Sequence, residues 1–330
     1  MTTPTLRAPT LAEIQAPLAE RLARVREELR RIVVADFELI AEANTHLFQM
    51  QGKMFRPTLL LFASEATGGD DARAVSLAAV VELIHLATLV HDDSVDHSTM
   101  RRGMPTLNAL FSHQVSVIMG DFLYSRAVVE LVRQGDLEPL RVMSRVTNEM
   151  TVGEMRALLA HDRLKFTEAE YDLLIRAKTA SLFAGACEVG AGQAGPRERE
   201  AMRRYGESLG KAFQIVDDLL DYTEDEAVTG KPSGLDLKEH KVTLPLIAAL
   251  PRMTPAERAR VEELMRAPEP DERMIADVVA AATRAGGIEY ARARAARHQQ
   301  EAEAELEILP PSPARDALRA CVTYVTERRR

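Results

Sequence analysis

The chain has 330 residues, which allows one large domain or two ordinary ones. Hydrophobic residues make up 46% of it, and tryptophan is absent, while alanine, leucine, arginine and glutamate abound, which is typical of a helical protein with ample core material. The net charge of -8 excludes a nucleic-acid binder that relies on bulk attraction to phosphate, so any anion site has to be built from placed lysines and arginines.

Cysteine usage and the amino-terminal residues indicate where the protein works. Cys187 and Cys321 lie far apart in the sequence and predict neither a disulfide framework nor a zinc cluster. The first residues, MTTPTLRAPTLAEIQ, lack the basic segment and apolar core of a secretory signal. The longest uncharged stretch, residues 103–120, is too polar for a membrane span. We therefore expect a cytoplasmic protein without a membrane span.

The first part of the chain predicts four helices. Apolar residues between residues 11 and 34 recur at steps of three or four, the spacing of an amphipathic helix: Leu11, Ile14, Leu18, Leu22, Val25 and Leu29. A second helix is expected over 36–51, and an apolar third helix runs from Gly52 to Gly68. Residues 71–90 are apolar nearly all round, which indicates a central, buried helix.

The rest of the chain continues in the same way. Helices are expected over 106–132, 138–161, 167–190 and 197–222, followed by a charged loop with Gly and Pro and then by shorter charged helices. No strand pattern, fixed-period repeat or linker is visible. The sequence therefore predicts one all-α domain over residues 1–330.

Two acidic triplets share the pattern D-D-x-x-D. Each follows an apolar stretch and is therefore expected near the C-terminal end of a buried helix, where the helix dipole and mutual repulsion disfavour carboxylates. Roughly one such acidic triplet is expected by chance in a chain of this composition. The alternative is a solvated acidic helix end, but two triplets in such apolar surroundings favour a function. The six residues are Asp92, Asp93, Asp96, Asp217, Asp218 and Asp221.

The chemistry of these carboxylates favours magnesium. Asp92 and Asp96 lie one turn apart on one helix face, and Asp217 and Asp221 repeat that geometry. Magnesium commonly takes one or two carboxylates and completes its octahedron with water and phosphate oxygens. Two such clusters facing each other would therefore hold magnesium together with a diphosphate.

A diphosphate also needs cations. Arginine can grip phosphate with a planar fork, and lysine offers a point charge. Each lysine or arginine at a Gly or Pro boundary could instead be a solvated surface charge. Lys178 and Thr179 differ, because they interrupt an otherwise apolar helix. His85 lies two turns before Asp92, so it is either a core histidine or a substrate contact. The candidates at Gly and Pro boundaries are Lys53, Arg56, Arg101, Arg102, Lys231 and Lys241.

Six segments resemble, in order, the motifs of the trans-polyprenyl diphosphate synthases. They span about residues 52–245 and read GKMFRP, ELIHLATLVHDDSVDHSTMRRGMPT, GDFLYSRA, KTASLFAGACEVGA, FQIVDDLLD and GKPSGLDLKEHKVTLP. The resemblance implies the isoprenoid synthase fold, a single domain of antiparallel helices around a deep central cavity, usually as a homodimer. It also implies the reaction: an allylic diphosphate ionises, isopentenyl diphosphate attacks the carbocation, and proton loss leaves a chain five carbons longer.

The resemblance also implies roles for residues at matching positions. Both aspartate triplets would bind magnesium, with three ions per active site expected, and the catalytic group would comprise Asp92, Asp93, Asp96, Asp217, Asp218 and Lys178. The expected isopentenyl diphosphate contacts are Lys53, Arg56, His85 and Arg102. The expected allylic diphosphate contacts are Arg101, Lys178, Thr179, Gln214, Lys231 and Lys241.

Three positions depart from the family pattern. Met54 stands where arginine is frequent, His97 where an acid is common and His240 where glycine is common. None of these departures removes an expected ligand. The terminal ERRR could close over a diphosphate or remain a solvated tail.

Product length is expected to depend on residues just before the first triplet. Ala87 and Thr88 are small and lie about one turn before Asp92, so they leave room for a growing tail. This predicts a product longer than farnesyl diphosphate, and Met119 or Phe122 could form a deeper floor. The alternatives are a geranylgeranyl diphosphate synthase and a non-catalytic subunit of a heteromeric synthase. A terpene cyclase is disfavoured by the motifs around Lys53, Arg56 and Arg102.

Overall fold

The structure is a computed structural model and describes residues 7–50, 52–159, 163–223 and 234–327. The amino-terminal part contains five helices: α1 Leu11–Gln15, α2 Ala19–Ile32, α3 Glu38–Gln49, α4 Phe55–Ala66 and α5 Asp71–Val95. A two-residue hairpin, β1 Met100–Arg101 and β2 Met104–Pro105, follows α5 and was not predicted. The central part contains α6 Leu107–Leu110, α7 His113–Arg133, α8 Leu137–Leu159, α9 Glu168–Ile175, α10 Ser181–Gly190 and α11 Pro196–Thr223.

The carboxy-terminal part adds shorter helices around α11. They are α12 Leu235–Lys238, α13 Leu244–Ala249, α14 Pro255–Arg266, α15 Glu272–Arg284, α16 Gly287–Glu305 and α17 Pro313–Glu327. Short 3₁₀ turns cover Ala16–Leu18, Arg163–Lys165, Leu250–Arg252 and Leu306–Ile308. The all-α prediction is therefore confirmed, and the two-residue hairpin is the only sheet among the described residues.

Two of the predicted helices are broken in the structure. The helix expected over 106–132 stops at Phe111, and Ser112 starts α7 because its hydroxyl accepts a hydrogen bond from the amide of Val115 at 3.2 Å. The helix expected over 167–190 contains a π-helical turn, Arg176–Ala180, between α9 and α10. This turn carries Lys178 and Thr179, and such turns frequently mark functional positions.

Helix α5 is the centre of the first part of the core. Asp70 begins the helix by accepting a hydrogen bond from the amide of Arg73 at 2.7 Å. The helix packs against α2, α4 and α7, which covers its apolar faces. It is the one described helix long and apolar enough to cross a membrane, yet 67% of its apolar window is buried within the protein. This burial is typical of a core helix in a globular domain.

Helix α11 joins the two hydrophobic clusters of the core. Tyr205 and Leu209, in its first half, belong to the cluster around α4, α5 and α10. Ile215 and Leu219, in its second half, belong to the cluster formed with α9 and α13–α16. The two clusters therefore share one continuous helix and form a single domain, which carries an aspartate triplet near the C-terminal end of α11.

Candidate active site

The first aspartate triplet lies at the C-terminal end of α5. Asp92 and Asp93 occupy the last turn, and Asp96 is the residue that ends the helix. Both carboxylate oxygens of Asp93 accept hydrogen bonds from Nε of Arg101, at 2.8 and 2.9 Å. Burial raises the pKa of Asp93, and the charge of Arg101 opposes that rise. A cation close by therefore offsets part of the cost of placing an acid here.

The hairpin after α5 holds the two arginines. Arg102 and Gly103, between β1 and β2, have φ angles of 51° and 76°, the combination required by a type I′ turn. Glycine accepts this conformation without strain, which explains its place after the arginines. The turn directs Arg101 to Asp93, while Nη1 of Arg102 donates to the carbonyl of Met50 at 3.3 Å.

The second triplet lies at the C-terminal end of α11. Asp217 is exposed, whereas Asp218 is buried and accepts hydrogen bonds from the Tyr171 hydroxyl at 2.5 Å and from Nε2 of Gln214 at 2.8 Å. Burial, with the nearby charge of Asp236, holds the pKa of Asp218 well above its usual range. Asp218 is thus supported by neutral donors rather than by a cation.

Asp221 has a different environment. Its two carboxylate oxygens accept hydrogen bonds from the amides of Leu235 and Asp236, each at 3.0 Å. These amides belong to the first turn of α12, so Asp221 fixes this short helix against α11. Burial and the charge of Asp221 raise the pKa of Asp236 to about 7.

The π-helical turn connects the two triplets. Nζ of Lys178 lies 3.6 Å from a carboxylate oxygen of Asp92, in the first triplet. The hydroxyl of Thr179 donates to Gln214 at 2.7 Å, and Gln214 in turn donates to Asp218, in the second triplet. Two adjacent residues therefore reach toward different triplets, so the C-terminal ends of α5 and α11 lie on either side of one site.

Lys178 remains a cation in this site. Burial alone would lower the pKa of Lys178, but the carboxylates of Asp92 and Glu154 outweigh it and raise the pKa. Glu154, on α8, lies 2.9 Å from Nζ of Lys178. The lysine is thus placed between an aspartate of the first triplet and a glutamate from another helix.

Residues that the sequence analysis did not single out complete the site. They are Glu154 beside Lys178, Tyr171 on Asp218, and Asp236 next to Asp221. Tyr171 lies seven residues before Lys178, and this two-turn spacing is a signal that could have identified it. Asp236 lies in a segment that the sequence predicts to be a loop, so no local sequence pattern indicates that it approaches α11.

A second group of cations lies between α4, α5 and the hairpin. Arg56 is placed over the ring of Phe183, with 4.9 Å from Cζ to the ring centroid. Burial, together with the charges of Arg56 and Arg102, holds the pKa of His85 well below its usual range. The structure therefore brings these three expected isopentenyl diphosphate contacts together, with a neutral imidazole, whereas Lys53 is exposed.

Lys241 lies near Asp96 of the first triplet and near Asp236, which adjoins the second. Burial lowers its pKa, but Glu239 and the charges of Asp236 and Asp96 raise it overall, and Glu239 lies 2.6 Å from Nζ. Lys231 falls outside the described residues, as do the three arginines at 328–330. Five of the six expected allylic diphosphate contacts can therefore be placed, and all five lie beside one of the triplets.

The three departures from the family pattern share a backbone conformation. Met54, His97 and His240 have φ angles of 52°, 51° and 58°. Met54 lies just before α4, while His97 and His240 lie just after α5 and α12, where left-handed residues commonly end helices. Glycine would be unstrained at His240, but the ring is held by a 2.7 Å hydrogen bond to the carbonyl of Ala267.

The donor set fits metal ions that arrive with a phosphate. Among the described residues, no three or more His, Cys, Asp or Glu side chains are arranged to hold a metal ion by themselves. Arg101 donates a hydrogen bond to the carboxylate of Asp93, and Tyr171 and Gln214 donate hydrogen bonds to the carboxylate of Asp218. Magnesium commonly takes one or two protein carboxylates and completes its coordination with water and phosphate oxygens, and each triplet contains three carboxylates from which they can come.

A separate cavity of about 540 Å³ lies between α8 and α9. Val152, Leu173 and Leu174 are among its apolar residues, and Arg156 and Arg176 among its charged ones. None of the six aspartates lines it. This cavity is therefore distinct from the site between the triplets.

Comparison with known proteins identifies the family. The Polyprenyl synthetase family matches residues 37–282. The chain is 38% identical to the short chain isoprenyl diphosphate synthase of Methanothermobacter thermautotrophicus, covering 92% of this chain and 94% of that protein. It is 37% identical to the octaprenyl diphosphate synthase of Escherichia coli, covering 93% and 96% of the two chains.

A solved structure agrees with this result. The polyprenyl synthase of Caulobacter crescentus, in complex with calcium and isoprenyl diphosphate, superimposes with a TM-score of 0.91 at 33% identity, covering 98% of this chain and 99% of that one. The fold, the paired aspartate triplets and these relatives agree, and the chain belongs to the polyprenyl synthetase family of prenyltransferases.

Proposed function

We propose that this prenyltransferase condenses an allylic diphosphate with isopentenyl diphosphate and makes a polyprenyl diphosphate longer than farnesyl. The observation that carries the proposal is the pair Lys178 and Thr179, which reaches both aspartate triplets from one π-helical turn. One diphosphate between the triplets would meet carboxylate-bound metal and fixed cations together. The neighbouring group of Arg56, His85 and Arg102 suits a second diphosphate.

Magnesium is the proposed cofactor, and three ions per active site are expected. It would be held by Asp92, Asp96, Asp217 and Asp221, with Asp93 and Asp218 as further carboxylates. When bound, it supplies positive charge to the departing diphosphate. Calcium in the related Caulobacter structure supports a hard divalent cation in that protein.

The protein groups then have separate tasks. Lys178, Thr179, Gln214, Arg101 and Lys241 would bind and orient the allylic diphosphate, with Lys231 a further expected contact. Fixed cations stabilise the negative charge that develops on the leaving diphosphate. Lys53, Arg56, His85 and Arg102 would hold isopentenyl diphosphate so that its double bond faces the carbocation. The apolar residues below the triplets would exclude water from that cation.

Product length is the finer part of the proposal. Relatives named as octaprenyl and nonaprenyl diphosphate synthases support a long-chain product, although one similar relative is a short chain synthase. Small residues at Ala87 and Thr88 favour a long-chain product. A geranylgeranyl diphosphate synthase is the alternative, and sizing the products separates the two. A non-catalytic subunit is disfavoured because both triplets are complete.

We also propose a cytoplasmic homodimer. Apolar side chains on α7 and α8 are more than half exposed, among them Ile118, Val129 and Met155. Contiguous exposed apolar surface commonly marks a protein interface.

The decisive experiment is elongation by the purified protein. Magnesium, isopentenyl diphosphate and a set of allylic primers should yield polyprenyl diphosphates, and Asp92→Asn should lower turnover about 100-fold or more because charge stabilisation of the leaving group is lost. Asp36→Asn, at an exposed acid before α3, is the matched control and should leave turnover unchanged. No magnesium-dependent elongation with any primer would contradict the proposal.

A further inference from the structure

Helix α5 contains a buried carboxylate that no part of the proposed reaction uses. Glu82 is 5% exposed, and its neighbours Val81, Leu83 and Ile84 are almost fully buried. Burying a carboxylate is strongly unfavourable unless cations or hydrogen-bond donors lie nearby. The position of Glu82, ten residues before Asp92, therefore requires an explanation from its surroundings.

Arginine charges act on Glu82 from other elements. Burial raises the pKa of its carboxyl group, and the charges of Arg56, Arg102 and Arg26 oppose that rise. Arg56 comes from α4 and Arg102 from the hairpin turn, so three separate segments meet at this point. These are the same two arginines that the proposed function assigns to isopentenyl diphosphate.

Gly52 lies beside both Glu82 and Arg102. A Cβ atom added at Gly52 would lie 3.1 Å from Nη1 of Arg102 and 3.2 Å from Oε1 of Glu82. The carboxylate and the guanidinium therefore both border the small space beside Gly52. A Cβ atom there would be slightly too close to both groups, so the carboxylate or the guanidinium would have to shift by a few tenths of an ångström.

Glu82 forms no close ion pair with Arg56 or Arg102 in the described part of the chain. Within the described part of the chain, the ion pairs shorter than 4 Å include Asp93 with Arg101 but none between Glu82 and Arg56 or Arg102. Nε of Arg56 is buried and has no hydrogen-bond partner among the described residues. The guanidinium groups of Arg56 and Arg102 thus keep N–H donors available for an anion. Arg101, by contrast, already donates its Nε–H to Asp93.

We propose that Glu82 is a positioning residue for the isopentenyl diphosphate site, whose negative charge holds Arg56 and Arg102 together without occupying their phosphate-binding N–H groups. This inference rests on the proposed function. Two guanidinium groups repel each other in a buried space, and the negative charge of a nearby carboxylate offsets this repulsion before the diphosphate arrives. The diphosphate then meets cations that are already placed, so less ordering is needed on binding.

The test is a steady-state comparison of Glu82→Gln with the unaltered enzyme. The amide has the same shape but lacks the charge, so the KM for isopentenyl diphosphate should rise about 10-fold, which corresponds to the effect of one charge-assisted contact. The KM for the allylic primer and kcat should stay within about twofold. Calorimetric titration with isopentenyl diphosphate alone should show the same rise in Kd.

Glu188→Gln is the matched control. Glu188 is also a buried glutamate beside an arginine, Arg145, but it lies on α10 and outside both cation groups. This variant should leave both KM values unchanged. Gly52→Ala is a second test that keeps Glu82 itself, and it should raise the KM for isopentenyl diphosphate selectively because the added methyl group crowds both Arg102 and Glu82 and displaces one of them.

Several outcomes would overturn the inference. An unchanged or lower KM for isopentenyl diphosphate in Glu82→Gln would show that the carboxylate only weakens anion binding or has no part in it. An equal rise in both KM values would indicate a general structural role. If circular dichroism shows that Glu82→Gln does not fold, an unchanged KM for isopentenyl diphosphate in Gly52→Ala would refute the proposal. Failure of the unaltered enzyme to elongate any primer would instead refute the proposed function, while calorimetry still tests Glu82.

Discussion

Asp92, Asp93 and Asp96 belong to one sequence motif but have three different environments. Asp93 is paired with Arg101, Asp92 lies near Lys178, and Asp96 is exposed at the end of α5. A carboxylate that already binds a guanidinium is less available to a metal ion. We therefore expect Asp92 and Asp96, one turn apart, to be the principal metal ligands of this triplet.

Thr88 lies on α5 one turn before Asp92. Its hydroxyl donates to the carbonyl of His85 at 2.7 Å, and it shares a helix face with His85 and Asp92. Ala87, by contrast, is 3% exposed. Replacing Thr88 with Phe should fill the space one turn before Asp92 and shift the products to shorter chains. Chromatography of the products measures this change in chain length.

Thr88→Val is the control for that prediction. Valine has nearly the shape of threonine, so the length distribution should remain that of the unaltered enzyme. Unaltered chain lengths in Thr88→Phe would place the floor of the cavity elsewhere, for example at Met119 or Phe122.

At the scale of elements, the site depends on how α11 packs on the π-helical turn. Gly210 on α11 faces Ala180, and a Cβ atom at Gly210 would lie only 2.5 Å from Cα of Ala180. Gly206, one turn earlier, is similarly close to the backbone of Phe183. These glycines allow the helix and the turn to approach, and that approach places Gln214 within reach of Thr179.

Gly210→Ala should therefore damage both stability and activity. The added methyl group forces α11 away from Ala180, which should lower the free energy of unfolding by about 1–3 kcal/mol. Loss of the Thr179–Gln214 hydrogen bond should lower turnover at the same time. Chemical denaturation and the elongation assay measure the two effects. Ser208→Ala on the same helix should change neither, and a fully active Gly210→Ala would show that close approach is not required.

At the scale of the whole molecule, helices α7 and α8 leave an apolar surface uncovered. Ile118, Val129 and Val132 are each more than half exposed and lie on one stripe of α7. In the described part of the chain, no other element covers them. A second copy of the chain is the partner that we propose for this stripe.

The proposed homodimer can be tested by its mass in solution. Light scattering at micromolar concentration should give about twice the chain mass of 36.5 kDa. The double variant Ile118→Glu/Val129→Glu should dissociate, because an interface buries such residues and cannot accommodate unpaired charges. Val34→Glu, at an exposed valine on the C-terminal side of α2, should stay dimeric. A monomeric unaltered protein would contradict the proposal.

Much of this molecule was predictable from periodicity and motif order. The sequence determined the all-α class, the burial of α5, the family and the two aspartate triplets, because these follow from local spacing and from residue types that fold stability alone does not favour. The π-helical turn and the hairpin were visible only as interruptions at Lys178 and at Arg101-Arg102-Gly103.

Only the tertiary structure decided how distant segments meet. Glu154 beside Lys178, Tyr171 on Asp218, Asp236 beside Asp221, and Glu82 with Arg102 beside Gly52 all depend on the packing of separate elements. No local pattern encodes these contacts, because each arises from the packing of helices far apart in sequence. The sequence by itself determined which charges the site contains, and the packing of α4, α5, α8 and α11 decided which charge each one faces.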